Sequence, residues 1–223
     1  YLRPRNPGAM TDRHRTHHRT DYAKSVLLEA DAGDDPFALF GRWLKAAEED
    51  KLPEHNAMTL ATAGAFSISC RVVLLRSFDP EGFVFFSNYN SRKALDLERD
   101  PRAALSFFWP DHERQVRIEG RAELLTDAEN DEYFHSRPLE SRIGAWSSDQ
   151  SRVVDSRAGI DDRFARWKER LQGQEIPRPA HWGGYRVKPV RMEFWQGRPS
   201  RLHDRIAFER FDDGTWGRMR LQP

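Results

Sequence analysis

An antiparallel β-barrel with helices at its edges is the architecture this sequence predicts, on three observations. Runs rich in β-branched and aromatic residues recur through the middle and end of the chain. Short Gly- and Asp-marked turns bound them, rather than the long crossovers that parallel strands need. In one run, Gln115, Arg117 and Glu119 alternate with Val116 and Ile118, the period of a half-buried strand. Helical periodicity is confined to a few segments beside these runs. Closing such a sheet into a barrel is one way to protect its edges.

Residues 1–34 are polar, and the expectation is a mobile tail, with residues 1–9 ahead of Met10 an expression remnant. His14, His17 and His18 lie here without the acidic or thiolate partners that a metal site needs, so no metal is expected. The first helix starts at Asp35, a candidate N-cap, with Pro36 at the first helical position. Phe37, Phe40, Leu44 and Ala47 recur at helical spacing, and Trp43 widens that apolar stripe. Strands are expected at 57–63 and 66–78, then at 83–87 after the turn Asp79-Pro80-Glu81-Gly82.

A short helix fits 91–99 and stops before Pro101; strands follow at 103–109 and 114–125. Thr126 and Glu129 have the spacing of a capping box, opening a helix to about residue 136. Another helix fits 161–171, and a Pro/Gly loop fits 176–184. Strands at 191–195, 205–211 and 216–221 close the chain, the last two around the turn Asp212-Asp213-Gly214-Thr215. No linker or repeat divides residues 35–223, which are expected to form one domain.

Composition narrows the function. The 223 residues include 36 Lys+Arg and 35 Asp+Glu, a formal net charge of +1. A protein that holds nucleic acid by neutralising phosphates carries a clear basic excess, so no nucleic-acid partner is expected. Seven Trp among 12% aromatic residues argue against a disordered chain. Cys70 is the single cysteine, so no intramolecular disulfide can form. No apolar run reaches the ~18 residues of a membrane span, and no signal-peptide core is present. A soluble, cytoplasmic protein without a membrane partner is the expectation.

Neither glycine-rich phosphate cradle, G-x-G-x-x-G or G-x-x-x-x-G-K-[ST], occurs, so any bound phosphate must be held by cationic and hydroxyl side chains. Such groups cluster at Arg71 and Arg76, at Ser91-Arg92-Lys93, at Arg114-Gln115, at Arg137, and at Arg201-Leu202-His203-Asp204-Arg205. Taken singly, each fits a solvated surface charge. Arg71 and Arg76 bracket an apolar run, however, and Ser91-Arg92-Lys93 opens a helix, a ready anion site. Alternation predicts Arg201, His203 and Arg205 on one face of a strand. The competing reading of that row is a sheet surface laced with ion pairs through Asp204 or Glu193.

Longer stretches carry a resemblance. They are Arg71-Val72-Val73-Leu74-Leu75, Ser91-Arg92-Lys93, Glu113-Arg114-Gln115-Val116, Tyr133-Phe134-His135-Ser136-Arg137-Pro138 and Ile143-Gly144-Ala145-Trp146. Gln150-Ser151, Trp182-Gly183-Gly184, Glu193-Phe194-Trp195-Gln196-Gly197 and Arg201-Leu202-His203-Asp204-Arg205 follow in register. From about residue 35 to residue 223 the chain closely resembles the pyridoxine/pyridoxamine 5′-phosphate oxidase family.

That resemblance implies a split β-barrel homodimer with FMN at the subunit interface. It implies FMN contacts from Arg71, Val72, Val73, Leu74, Leu75 and Arg76, from Phe86, Ser87, Arg92, Lys93 and Gln115, and from Gln150, Ser151, Trp195 and Arg205. Substrate contacts are implied for Arg76, Tyr133, Arg137, Ser141, Arg201 and His203, with Arg19 and Tyr22 as arm residues closing over the substrate. Arg201 and His203 are the implied catalytic pair. The implied reaction oxidises pyridoxamine or pyridoxine 5′-phosphate to pyridoxal 5′-phosphate and reduces O2 to H2O2. Two departures stand out: Arg76 replaces the family's usual Lys, and Ala63-Gly64-Ala65-Phe66 replaces its Gly-x-Pro turn. An ammonium and a guanidinium are not equivalent in geometry. The rival readings are a phenazine-biosynthesis type of split-barrel flavin oxidase and a non-catalytic flavin- or haem-binding barrel.

Overall fold

The computed structural model describes residues 21–65 and 67–223. A short helix α1 (Glu29–Ala32) precedes α2 (Pro36–Glu49). Asp35 caps α2, its Oδ1 accepting from Phe37 N at 2.8 Å, while Pro36 takes the first turn, where its missing N–H leaves nothing unpaired. The helix buries Phe37, Phe40, Trp43 and Ala47 of the expected stripe and Leu39 besides, while Leu44 is half-buried. Phe40 is at its centre, with Phe78, Phe83 and Phe107 edge-on to it at 4.9–5.0 Å.

Nine strands build one sheet: β1 (Ala57–Ala63), β2 (Ile68–Leu74), β3 (Ser77–Asp79), β4 (Gly82–Asn88), β5 (Arg102–Trp109), β6 (Arg114–Leu124), β7 (Trp182–Gln196), β8 (Asp204–Arg210) and β9 (Trp216–Arg220). Every pairing is antiparallel, in the order β2-β1-β5-β6-β7-β4-β3, with β8 on β7 and β9 on β8. The 15 residues of β7 set the shape. One edge of β7 follows β6; the other pairs β4 along its first half and β8 along its second. The sheet forks there and curls into a split half-barrel. A bulge between Glu119 and Gly120 adds twist. A Cβ on Gly120 would lie 2.2 Å from Lys188 O, so only glycine permits this approach.

Four further helices, α3 (Arg92–Arg99), α4 (Asp127–Ser136), α5 (Leu139–Ser147) and α6 (Arg157–Arg170), flank the barrel. The barrel core joins Phe40, Phe83, Phe85, Phe107, Phe194 and Phe208. A satellite core of Phe134, Ile143, Ala145, Ile176 and Trp182 lies under α4–α6. Among the described residues no helix is long and apolar enough to cross a membrane.

Four expectations are corrected. Residues 21–34 are not a mobile tail: Leu27 and Ala32 are buried in the core, and Leu27 N donates to Asp204 Oδ2 at 3.1 Å. The strand expected across 66–78 is broken, because Leu75 N bonds Asn56 O whereas Arg76 N bonds Val84 O, so the chain changes partners there. β7 begins at Trp182, inside the expected loop, and α5 was not anticipated. The fourth concerns Arg201 and His203 and belongs to the site. Residues 1–20 and Phe66 lie outside the described residues.

Candidate functional site

A cleft of about 800 Å³ opens between β2, the end of β4, the start of α3, helices α4 and α5, and the loop at 148–151. Among its lining residues are five cations, Arg71, Arg76, Arg92, Lys93 and Arg137, and none is acidic. Its charge is therefore uncompensated from within, which suits phosphate-bearing ligands.

The cations fall into two groups. The first surrounds the start of α3. Ser91 holds the N-cap position, yet its Oγ does not cap a backbone N–H; it is 3.2 Å from Lys93 Nζ, which donates to it. The first-turn N–H groups therefore keep their capacity for an anion. Lys93 is buried and donates also to Ser87 Oγ at 3.1 Å and Gln150 Oε1 at 2.9 Å. All three partners are neutral. Burial, reinforced by the charge of Arg71, lowers the Lys93 pKa to about 8. Arg71 donates to Leu60 O, Thr62 Oγ1 and Ser69 Oγ, with Asp96 Oδ2 at 3.9 Å. Burial lowers its pKa too, against the pull of Asp96. Arg92 donates to Ser67 Oγ at 3.0 Å.

The second group hangs from α4. Thr126 and Glu129 form the expected capping box and so set where this helix begins. Tyr133 stacks on Phe86 at 4.0 Å, and Phe86 on Trp182 at 5.2 Å. Arg137 lies 4.5 Å over Trp182, and Arg76 lies 5.8 Å from the Tyr133 ring centre. Arg137 Nη1 is buried without a hydrogen-bond partner. Burial lowers the Arg137 pKa. An unpaired buried guanidinium donor is costly, and a phosphate oxygen would satisfy it. Ser141, at the first turn of α5, faces the same space.

The cleft thus gathers Arg71, Val72, Val73, Leu74, Arg76, Phe86, Ser87, Arg92, Lys93, Tyr133, Arg137, Ser141, Gln150 and Ser151. Leu75 points into the barrel core instead. Arg19 lies outside the described residues. Sequence reasoning gave no role to Trp182 and none to Asn88, whose Nδ2 donates to Ser148 O at 3.1 Å. The motif Trp182-Gly183-Gly184 was the available signal for the first.

The remaining site residues form a second cluster. Gln115, Trp195 and Arg205 are registered neighbours across β6, β7 and β8. Arg205 Nε donates to the buried Glu193 at 2.9 Å. Trp195 packs 4.6 Å from His203, and Tyr22 meets both rings at 5.5 and 5.8 Å. Here the strand expectation fails. Arg201 ends a 3-10 turn (Pro199–Arg201) with φ 62°, and β8 starts only at Asp204. A left-handed backbone at Arg201 ends the alternation that would align it with His203 and Arg205. Arg198 N donates to His203 Nδ1 at 3.1 Å. Since a backbone N–H can only donate, the neutral ring carries its proton on Nε2. Burial, then Arg201, lowers the His203 pKa, so the ring is neutral at pH 7.

β7 carries Trp182 to the cleft and Trp195 to the second cluster, thirteen residues later. At ~3.3 Å per residue, roughly 40 Å of strand separates them. None of Gln115, Trp195, Arg201, His203 and Arg205 lines the cleft of their own chain.

The chain was also compared with known proteins. A family model described as pyridoxamine 5′-phosphate oxidase matches residues 44–171. A second, described as the pyridoxine 5′-phosphate oxidase C-terminal dimerisation region, matches residues 182–223. The pyridoxine/pyridoxamine 5′-phosphate oxidase of Cupriavidus pinatubonensis is 54% identical over 206 residues, 92% of this chain and 97% of that protein. Among solved structures, PhzG from Burkholderia lata 383, in complex with tetrahydrophenazine-1-carboxylic acid, superposes with a TM-score of 0.82 at 32% identity. It covers 89% of this chain and 98% of its own. A pyridoxamine 5′-phosphate oxidase-related, FMN-binding protein from Nostoc punctiforme shares the fold, with a TM-score of 0.68 at 14% identity over 85% of this chain and 98% of its own.

Proposed function

The chain belongs to the pyridoxine/pyridoxamine 5′-phosphate oxidase family, and from that premise we propose that it oxidises pyridoxamine and pyridoxine 5′-phosphate to pyridoxal 5′-phosphate with FMN as cofactor and O2 as electron acceptor, releasing H2O2. The observation that carries this reading is the cleft with five cations and no acidic lining residue. Two phosphates need two cationic seats. The Ser91–Lys93 end of α3, with Arg71, suits the phosphate of FMN. Arg137, with its unpaired buried donor, suits that of the substrate together with Arg76, Tyr133 and Ser141.

Bound FMN supplies the hydride acceptor. The chain's own residues supply position and charge. The planar faces of Phe86, Tyr133 and Trp182 orient the cleft wall, and Arg137 anchors the phosphate so that the reacting carbon is held in near-attack geometry. The second cluster, carrying Gln115, Trp195, Arg201, His203 and Arg205, acts on the cleft of a partner subunit in a homodimer. The length of β7 and the match of residues 182–223 to a dimerisation region support that assembly. There Arg201 adds a cation beside the anionic ligand, and His203 presents Nε2–H as a donor.

The test uses purified protein reconstituted with saturating FMN. Heat-released cofactor is expected to chromatograph as FMN, and pyridoxamine 5′-phosphate is expected to elicit peroxide and pyridoxal 5′-phosphate. Flavin binding without turnover would reduce the protein to a flavin-binding barrel. Turnover of a reduced phenazine carboxylic acid instead would favour the PhzG-like reading.

A further inference from the structure

α4 carries Tyr133 to the cleft and ends at its C-cap Arg137, and one fully buried amide ties this helix to the sheet. The helix buries Asn130 and Phe134, spaced i, i+4 on one face. Tyr133 and Arg137 repeat that spacing on the adjoining side. Phe134 packs edge-on against Trp182 at 5.3 Å. Asn130 is 2% exposed, and its Oδ1 accepts from Gly184 N at 2.7 Å. That backbone donor fixes which end of the amide is oxygen. Its Nδ2 donates to Leu125 O and to Tyr89 Oη, each at 3.3 Å. One side chain therefore ties together α4, the start of β7 and the residue just past β4. The contact depends on a bare backbone: a Cβ on Gly183 would lie 1.9 Å from Tyr89 Oη.

We infer that Asn130 is a positioning residue for the substrate phosphate: through Gly184 and Tyr89 it sets the height and rotation of α4, and so the place of Tyr133 and Arg137. The inference rests on the substrate contacts proposed above for those two residues. Arg137 stays over Trp182, and Tyr133 on Phe86, only while α4 keeps its seat on β7. Two further polar braces on α4 act from nearer the surface: Glu129 accepts from Arg186 of β7 at 3.1 Å, and Arg178 holds the first turns. Arg178 pairs with Asp127 and Asp131, whose side chains are 89% and 50% exposed. Their carboxylates are open to solvent, which screens these pairs, whereas the Asn130 amide is bonded entirely within the protein. Removing the Asn130 amide leaves Gly184 N–H buried and unpaired, and loosens the seat of α4 on β7. No hydrogen bond joins Asn130 to Lys93 or to Arg71 of β2, so the seat proposed for the FMN phosphate is expected to keep its geometry.

The experiment compares FMN-saturated wild-type protein with Asn130→Ala, Tyr89→Phe and Arg137→Ala. It reads kcat and KM for pyridoxamine 5′-phosphate, the Kd of pyridoxal 5′-phosphate from the flavin difference spectrum, FMN content and Tm. Asn130→Ala is expected to raise both KM and Kd roughly three- to tenfold, the equivalent of one buried hydrogen bond, with kcat and FMN content little changed. Tyr89→Phe is expected to move both the same way by less. Unchanged KM and Kd in the Asn130 variant, with or without a lower Tm, would make Asn130 merely structural and overturn the inference. If Asn130→Ala does not fold, Tyr89→Phe decides alone, and an unchanged Kd overturns it. If Arg137→Ala itself leaves KM and Kd unchanged, the substrate assignment is what fails, and the inference falls with it.

Discussion

Lys93 Nζ donates to Gln150 Oε1 at 2.9 Å, so an amide from the loop after α5 holds a buried ammonium that no carboxylate neutralises. Burial and the neighbouring Arg71 lower its pKa to about 8, which means the surrounding protein resists its charge. A site built this way is completed by an anion, and its energetics differ with and without one.

The first prediction follows from that pKa. FMN affinity is expected to fall as pH rises past about 8, because the ammonium that the phosphate needs is then lost. Stability of the FMN-free protein is expected to move the other way. The unfolded chain, with an ordinary lysine value near 10.5, binds more protons than the folded one between about pH 8 and 10.5, so stability rises with pH across that window. Lys93→Met is expected to flatten both profiles, to weaken FMN binding and to raise the Tm of the FMN-free protein at pH 7. Fluorescence titration and thermal melts across pH check this; a pH-independent difference between the two proteins would count against it.

Arg137 offers a second, on the other phosphate seat. Charge-assisted hydrogen bonds contribute about 1.5–3 kcal/mol, so Arg137→Ala is expected to raise KM for pyridoxamine 5′-phosphate by roughly ten- to a hundredfold while FMN stays bound. Loss of FMN with an unchanged KM would mean that Arg137 serves the cofactor phosphate.

His203 and Arg201 are distinguished by which atom matters. Arg198 N occupies His203 Nδ1, so Nε2–H faces outward. His203→Gln, which can place an amide N–H near that position, is expected to reduce its flavin faster than His203→Ala under anaerobic conditions. His203→Asn, which mimics the Nδ1 side, is expected to resemble Ala. Arg201→Ala is expected to keep the yellow colour and the dimer, to raise KM and to slow flavin reduction. Stopped-flow absorbance checks all four; wild-type rates throughout would make the pair structural.

Shared sites give a fourth. Arg137→Ala damages the cleft and Arg201→Ala the second cluster. Mixing the two variants through a dissociation–reassociation cycle is expected to restore about a quarter of wild-type activity, since half of the dimers then carry one intact site. No recovery above either variant alone would place both clusters in the service of one chain.

Much of this was legible locally. The stripe on α2, the alternation in β6 and the Thr126–Glu129 capping box each depend on residues within a few positions of one another, and each stands as expected. Periodicity and capping follow directly from backbone geometry, so the sequence determines them alone. Most of the residues that the resemblance names for the site line one cleft.

What tertiary structure decided depends on partners far apart in the chain. Gly183 and Gly184 look like loop residues, yet they lie in β7, because Tyr89 and Leu125 pack where a Cβ would stand. The run at 66–78 looks like one strand, yet it breaks where Leu75 and Arg76 bond different neighbours. Arg201 and His203 look like alternate strand positions, yet a left-handed residue separates them from β8. The residues that the resemblance groups into one site fall in two places, because only some of them line the cleft of their own chain. At Gly183, Gly184, Leu75 and Arg76 contacts outside the local segment outweigh the local preference, since burying a side chain or pairing a backbone group is worth more than the propensity it overrides.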